Sequence, residues 1–237
     1  MENTNRRDFL KGSAAAASAL AIPAIAEGRL SANERIRVGV VGLGGRMQAH
    51  IACLHLMADT DNVEIAAICD CDTRKLESAR ERYPELAGRK LATYTDQRKL
   101  FEDKSIDAVT FATQDHWHSL QTIWACQAGK DVYVEKPGSH NLFEGRQMVA
   151  AARKYKRMVQ HGTQCRSNPE IREGIKKLAE GVIGDIHMSR SISFKYRGHL
   201  GKHSPRRVPP GLDWDQWVGP APLLEYSNFH HRRWNWI

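Results

Sequence analysis

From Arg35 onward, short apolar runs alternate with amphipathic stretches. Ile36–Val41, Val63–Cys69, Ile106–Ala112, Asp131–Val134 and Met158–His161 read as strands. Runs that are apolar almost throughout suit parallel strands buried on both faces. Between them, Arg46–Met57, Thr73–Tyr83, Asp96–Glu102, Ser119–Ala128 and Leu142–Lys156 carry helical spacing, with Pro84 and Gly129 as stops. Strand, tight glycine turn, helix, strand is the βαβ pattern. The expected fold is therefore α/β, a doubly wound parallel sheet over 35–165. After Asn168-Pro169 the texture changes to a helix over Glu170–Glu180, an extended segment over Asp185–Tyr196, and a proline-punctuated remainder. A boundary near Cys165 leaves 166–237 as the start of an incomplete α+β domain. Trp214, Trp217, Trp234 and Trp236 would stack on sugar rings or, the favoured reading, belong to that unfinished core.

Residues 1–26 are set aside as an address. Asn5-Arg6-Arg7-Asp8-Phe9-Leu10-Lys11 is a twin-arginine signature, followed by an apolar run over Gly12–Ile22 and a small-residue cleavage site at Ala24-Ile25-Ala26. The apolar run is shorter than the roughly 18 residues that span a bilayer, so no stable membrane anchor is expected. The twin-arginine export machinery is an expected partner. The net charge of +8 is spread along the chain, and its densest stretch, Lys195 to Arg207, reads as a solvated basic loop. No nucleic-acid motif accompanies it. Five cysteines, an odd number with no Cys-x-x-Cys pair, read as free thiols rather than a disulfide framework or zinc site.

Gly42-Leu43-Gly44-Gly45-Arg46-Met47 follows the first strand and opens a helix. Backbone N–H groups at a helix N-terminus bind a pyrophosphate, and glycines permit the close approach. Met47 stands where Gly or Ala would complete the dinucleotide fingerprint, so that helix must pack differently on its strand. Asp70 ends the second strand. A carboxylate there accepts from the adenosine ribose hydroxyls and repels a 2′-phosphate, which favours NAD, or it serves only as a turn or cap residue. Arg74 leaves NADP open, since a guanidinium there could take a 2′-phosphate or stack on adenine. Ala112–His118 follows a buried strand and so lies at the carboxyl edge of the sheet. His116 and His118 lack a third ligand, so no metal site is expected. His118 reads as a donor to the nicotinamide ribose or as a helix cap. In Glu135-Lys136-Pro137 the lysine could polarise a hydroxyl or act as acid and base, or be a surface lysine on a proline turn.

Taken together, the Gly-x-Gly-Gly-Arg turn, Ala112-Thr113-Gln114-Asp115-His116-Trp117-His118, and the stretch Gln127–Pro137 ending in Glu-Lys-Pro resemble the Gfo/Idh/MocA oxidoreductases, in particular their exported bacterial branch. The resemblance runs from about Arg35 to the last residue. It implies a Rossmann domain with Gly42, Leu43, Gly44, Gly45, Arg46 and Met47 at the pyrophosphate turn and Asp70 at the ribose. Thr113 and His118 would face the nicotinamide side, Glu135 and Lys136 the nicotinamide ring and substrate hydroxyl, and Gln164 the carboxamide. Arg166 would border the substrate pocket. The implied activity is an exported NAD(P)-dependent oxidoreductase acting on a sugar, cyclitol or glycoside hydroxyl. Hydride would pass to the nicotinamide cofactor while Lys136 assists the proton, the complete protein would be a homo-oligomer, and export of an already folded chain implies that the cofactor is tightly held. Family members continue through a mostly antiparallel sheet that carries a catalytic histidine and aspartate, so this chain reads as C-terminally truncated, with an uncovered apolar face. The alternative is a non-catalytic nucleotide-binding module lacking that catalytic half.

Overall fold

β1 (Ile36–Val41), β2 (Val63–Cys69), β3 (Ala92–Tyr94), β4 (Ala108–Phe111), β5 (Asp131–Glu135) and β6 (Val159–Gly162) form one parallel sheet in the order β3-β2-β1-β4-β5-β6. The computed structural model describes residues 34–83, 91–192, 194, 204–228 and 231. The export signal, Trp234 and Trp236 lie outside the described residues. The chain winds from β1 outward in one direction to β3, then returns to add β4 to β6 on the other side. This Rossmann topology opens a crevice at the carboxyl ends of β1 and β4, where the winding reverses. Val41 is in register with both Cys69 and Phe111, so the segments leaving β1, β2 and β4 emerge side by side.

Both faces of the sheet are covered. Helices α1 (Met47–Thr60) and α2 (Thr73–Arg82) close a core of Val40, Met47, Ile51, Ile65, Ile68, Leu76 and Ala79. Helices α3 (Gln97–Glu102), α4 (Asp115–Gln127) and α5 (Leu142–Tyr155) close a second core around Val41, Phe101, Phe111, Cys126, Val134 and Met148. Neighbours Val40 and Val41 serve different cores because successive side chains of a strand point to opposite faces. Asp72, Asp96 and Asn141 cap α2, α3 and α5 through side-chain oxygens, which satisfies backbone N–H groups the helices leave unpaired.

Strands β1 and β2 have the expected bounds, whereas β3 is an addition: three residues at the sheet edge, none of them buried, carry no apolar run. Helix α4 begins at Asp115 rather than Ser119, so Asp115-His116-Trp117-His118 is its first turn. No strand occurs among the described residues of 185–196. Beyond β6 come a 3-10 helix (Gln164–Ser167) and α6 (Pro169–Ala179). Helix α6 buries none of its residues, and Ile171, Ile175, Val182, Ile183, Ile186 and Met188 are exposed.

The proline-rich stretch holds a short helix, α7 (Trp214–Val218), and a third core of Leu212, Trp214, Trp217, Val218 and Tyr226. Trp214 and Trp217 stack with centroids 4.6 Å apart, so both are core residues. This segment docks beside the carboxyl end of β2. Thr73 N–H donates to Gly211 O at 2.8 Å and Asp213 N–H to Cys71 O at 2.9 Å. Trp117 Nε1 donates to the carbonyls of Gln216 and Trp217, each at 3.1 Å. No helix among the described residues is long and apolar enough to cross a membrane.

Candidate dinucleotide site

A cleft of about 740 Å³ lies at the switch point, lined by the glycine turn, the β2 end, the β4 end and the α7 segment. Gly42 adopts φ 83°, and a Cβ on it would sit 2.7 Å from Thr113 Cγ2 and 3.1 Å from the Thr113 backbone. Only glycine suits that corner. Gly44 and Gly45 differ: a Cβ on either would meet no protein atom within 4 Å, because both border the cleft. Arg46, at the start of α1, makes no side-chain cap and the first turn carries no acidic residue. Met47 N–H and Ala49 N–H bond back to Gly44 O and Arg46 O, and with no side-chain cap or acid beside them the remaining amides of this turn are left for an anion. Open glycines beside an uncapped helix N-terminus fit a pyrophosphate.

Asp70, at the β2 end, accepts from Leu43 N–H at 2.8 Å and Asp72 N–H at 2.9 Å. Burial pushes its carboxyl up to about 6, although both backbone bonds oppose the rise. Arg74 also borders the cleft, with its guanidinium held by Asp72. Thr113 borders it too and donates to Gln121 Oε1 at 2.7 Å. From the α7 segment, Trp217, Tyr226 and Asn228 complete the wall.

Glu135 is 3 % exposed at the end of β5. It accepts from Arg46 Nε at 2.7 Å, His50 Nε2 at 3.0 Å, its neighbour's Lys136 N–H at 3.1 Å, and Gln164 Nε2. Burial pushes its carboxyl up, but the bonds from His50, Arg46 and Lys136 N–H outweigh it and hold the group below the ordinary carboxylate range. A carboxylate only accepts, so His50 donates from Nε2. Its Nδ1 lies 2.7 Å from Thr110 Oγ1 on β4. A buried anion therefore ties the glycine turn to the Glu-Lys-Pro loop.

His118 is 1 % exposed and stands apart from the cleft lining. Its Nδ1 donates to Pro137 O at 2.6 Å, which leaves Nε2 as the acceptor nitrogen, buried with no partner among the described residues. Burial pushes its pKa down, toward the neutral ring. His118 thus anchors the loop whose first residue beyond Glu135 is the exposed Lys136. Asp115 lies in the same cluster, its carboxyl pushed up by burial and pulled back by His118 and Lys136. His116 turns to the Trp217 carbonyl at 3.3 Å.

Of the residues singled out from sequence, Gly42, Gly44, Gly45, Arg46, Asp70, Arg74 and Thr113 share the cleft. Leu43 serves it through its N–H. Met47 is fully buried in the α1 core, since the helix turns that side chain into the packing where a smaller residue would bring helix and strand closer. Glu135, Lys136 and Gln164 gather at the β5 end, and Arg166 lies exposed on the 3-10 helix. Sequence reasoning missed His50 and Asp72. His50 carries a signal, a polar residue within the buried stripe Met47, His50 and Ile51. Asp72 carries another, an aspartate just before a helix.

The fold and cleft define a dinucleotide-binding α/β protein, and comparison with known proteins places it. The chain belongs to the Gfo/Idh/MocA oxidoreductase family, whose NAD-binding Rossmann-fold profile matches residues 36–163. Residues 3–23 match the twin-arginine translocation signal, which marks the chain for export by that pathway. It is 28% identical over 194 residues to the uncharacterized oxidoreductase YdgJ of Escherichia coli, covering 81% of this chain and 52% of that protein. Among solved structures it resembles myo-inositol 2-dehydrogenase from Lactobacillus plantarum, with TM-score 0.56, 27% identity, and 65% and 43% of the two chains covered. The WlbA dehydrogenase from Bordetella pertussis, solved in complex with NADH and UDP-GlcNAcA, gives TM-score 0.55 and 26% identity over 62% of this chain and 42% of that one. The chain spans about half the length of the curated relatives it matches.

Proposed function

We propose that this chain holds a nicotinamide dinucleotide, NAD in preference to NADP, and forms the cofactor-binding part of an exported oxidoreductase acting on a hydroxyl of a sugar, cyclitol or glycoside. The observation that carries the reading is the cleft at the switch point, lined by an uncapped helix N-terminus, open glycines and the Asp70 carboxylate. The α1 amides and Arg46 would hold the pyrophosphate, and Asp70 the adenosine ribose. When bound, the nicotinamide supplies hydride acceptance. Lys136, on the loop that Glu135 and His118 hold from two sides, would polarise the substrate hydroxyl and move its proton. Relatives described as acting on inositol or binding a nucleotide sugar support the substrate class.

The same reading divides the chain into a dinucleotide domain over 35–165 and, from 166, the start of a substrate and oligomerisation domain. Export after folding favours a cofactor loaded in the cytoplasm and held tightly, and the α7 segment walling the cleft supports that retention. Calorimetric titration with NADH of the purified chain, after any retained cofactor has been stripped, tests the reading. Saturable binding that weakens about tenfold, or 1.4 kcal/mol, in Asp70→Ala is expected. No binding of either dinucleotide would overturn it.

A further inference from the structure

Two residues past Asp70, Asp72 is spent on one partner. Its carboxylate, 4 % exposed, takes Arg74 in a fork: Nε donates to Oδ1 at 2.7 Å and Nη2 to Oδ2 at 2.6 Å. The same Oδ1 accepts Arg74 N–H at 3.1 Å, capping α2. Asp72 cannot easily turn away, because its N–H is bound to Asp70 Oδ1 and its backbone pairs with Leu212 of the α7 segment. Both residues border the cleft at its Asp70 end.

We propose that Asp72 sets the dinucleotide preference by holding Arg74 in this fork, so that the guanidinium is withheld from a 2′-phosphate. The inference rests on the dinucleotide reading above. Arginine is the side chain best shaped to take a phosphate through two parallel bonds. Here those bonds are already made, to a buried carboxylate that would be left unpaired if Arg74 swung to a ligand. A 2′-phosphate entering this end meets Asp70 and Asp72 together. Lys75, which also borders the cleft and faces Asp70, offers a point charge without the fork. A 2′-hydroxyl meets no such repulsion and donates to a carboxylate. The sequence leaves Arg74 open to either dinucleotide, and its pairing with Asp72 closes the choice.

The test measures the affinities of NADH and NADPH, by nicotinamide fluorescence, for the native chain, Asp72→Ser, Arg74→Ala and the double variant. Serine keeps a capping oxygen for α2 while removing the charge. Asp72→Ser is expected to shift the NADPH-to-NADH affinity ratio toward NADPH by about tenfold or more, the scale of one charge-assisted phosphate contact. Adding Arg74→Ala should abolish the gain. Arg74→Ala alone bares the Asp72 carboxylate and should not move the ratio toward NADPH, and Asp72→Asn, which also keeps a capping oxygen, serves as the second arm if the serine variant does not fold. An unchanged ratio in a folded Asp72→Ser or Asp72→Asn, a gain that persists in the double variant, or a shift toward NADPH in Arg74→Ala would each overturn the proposal. Failure of the native chain to bind NADH would instead overturn the dinucleotide reading beneath it.

Discussion

Arg46 Nε donates to Glu135 Oε1 at 2.7 Å, joining the glycine turn after β1 to the loop after β5. His50 meets the same oxygen at 3.0 Å from α1. The glycine turn and the loop that carries Lys136 are therefore tied to a single buried carboxylate.

Replacing Glu135 by Gln removes the charge that both partners pair with, and leaves His50 Nε2 facing a weaker acceptor. A loss of about 1.5–3 kcal/mol is expected, read from the urea midpoint at neutral pH. The pH dependence has a definite sign. Glu135 is held below its ordinary value of 4.5 in the folded chain, so its contribution is present above that pH and is lost as pH falls through the folded value. Glu135→Gln should flatten that acid limb.

Asp70 has the opposite sign. With its folded carboxyl at about 6 against an ordinary 3.8, the folded chain binds this proton more tightly than the unfolded one. Its contribution to stability is full below 3.8 and falls as pH rises through about 6. The ribose recognition proposed for Asp70 uses the carboxylate, so NADH affinity should rise as pH passes upward through about 6. Asp70→Asn should remove both slopes, checked by melts and titrations below and above that pH.

The glycine turn separates folding from binding. Gly42→Ala forces a Cβ to 2.7 Å from Thr113 Cγ2 at a left-handed φ, so a destabilisation of about 1–3 kcal/mol is expected in thermal or urea unfolding. Gly44→Ala adds a Cβ where no protein atom outside the adjoining backbone lies within 4 Å. It should leave the melting temperature nearly unchanged while weakening dinucleotide binding at least about tenfold.

Trp117 holds the α7 segment through two carbonyls, and Gly219 packs against its ring so closely that a Cβ would come within 2.1 Å. Trp117→Phe, which loses the Nε1 donor, should cost about 1 kcal/mol and speed NADH dissociation in stopped-flow displacement. Gly219→Ala should be the more destabilising change in the same unfolding assay.

Much of this was legible in the sequence because a buried parallel strand prints itself as an apolar run. Ile36–Val41 and Val63–Cys69 emerge with their sequence-read bounds, and the glycine turn and Asp70 follow from where those strands stop. What was not legible depends on contacts remote along the chain. Ala92–Tyr94 becomes a strand only because β2 offers it an edge. Trp214–Val218 becomes a helix in a proline-rich stretch that docks through Cys71, Asp72 and Thr73. His118 reads, from its place at the sheet edge, as a donor to the nicotinamide ribose or as a helix cap. Its bond to the Pro137 carbonyl, which no local pattern encodes, ties it to the Lys136 loop. The pairing of Asp72 with Arg74 is local, yet its fork geometry shows only in the folded turn.

Lys136 carries the proposed chemistry and little of the packing, being exposed beside Glu135. Lys136→Met in the complete enzyme should reduce turnover by about 100-fold or more while NADH still binds, measured by steady-state kinetics alongside titration.

The cleft at the switch point is proposed to be a nicotinamide dinucleotide site that keeps its occupant. The most direct measurement is mass spectrometry of small molecules released by denaturing the purified chain after it has folded in the cytoplasm of an expression host. Near-stoichiometric NAD(H), in excess over NADP(H), is the expected result. A chain that folds yet releases no dinucleotide, and binds none when it is supplied, would contradict the account.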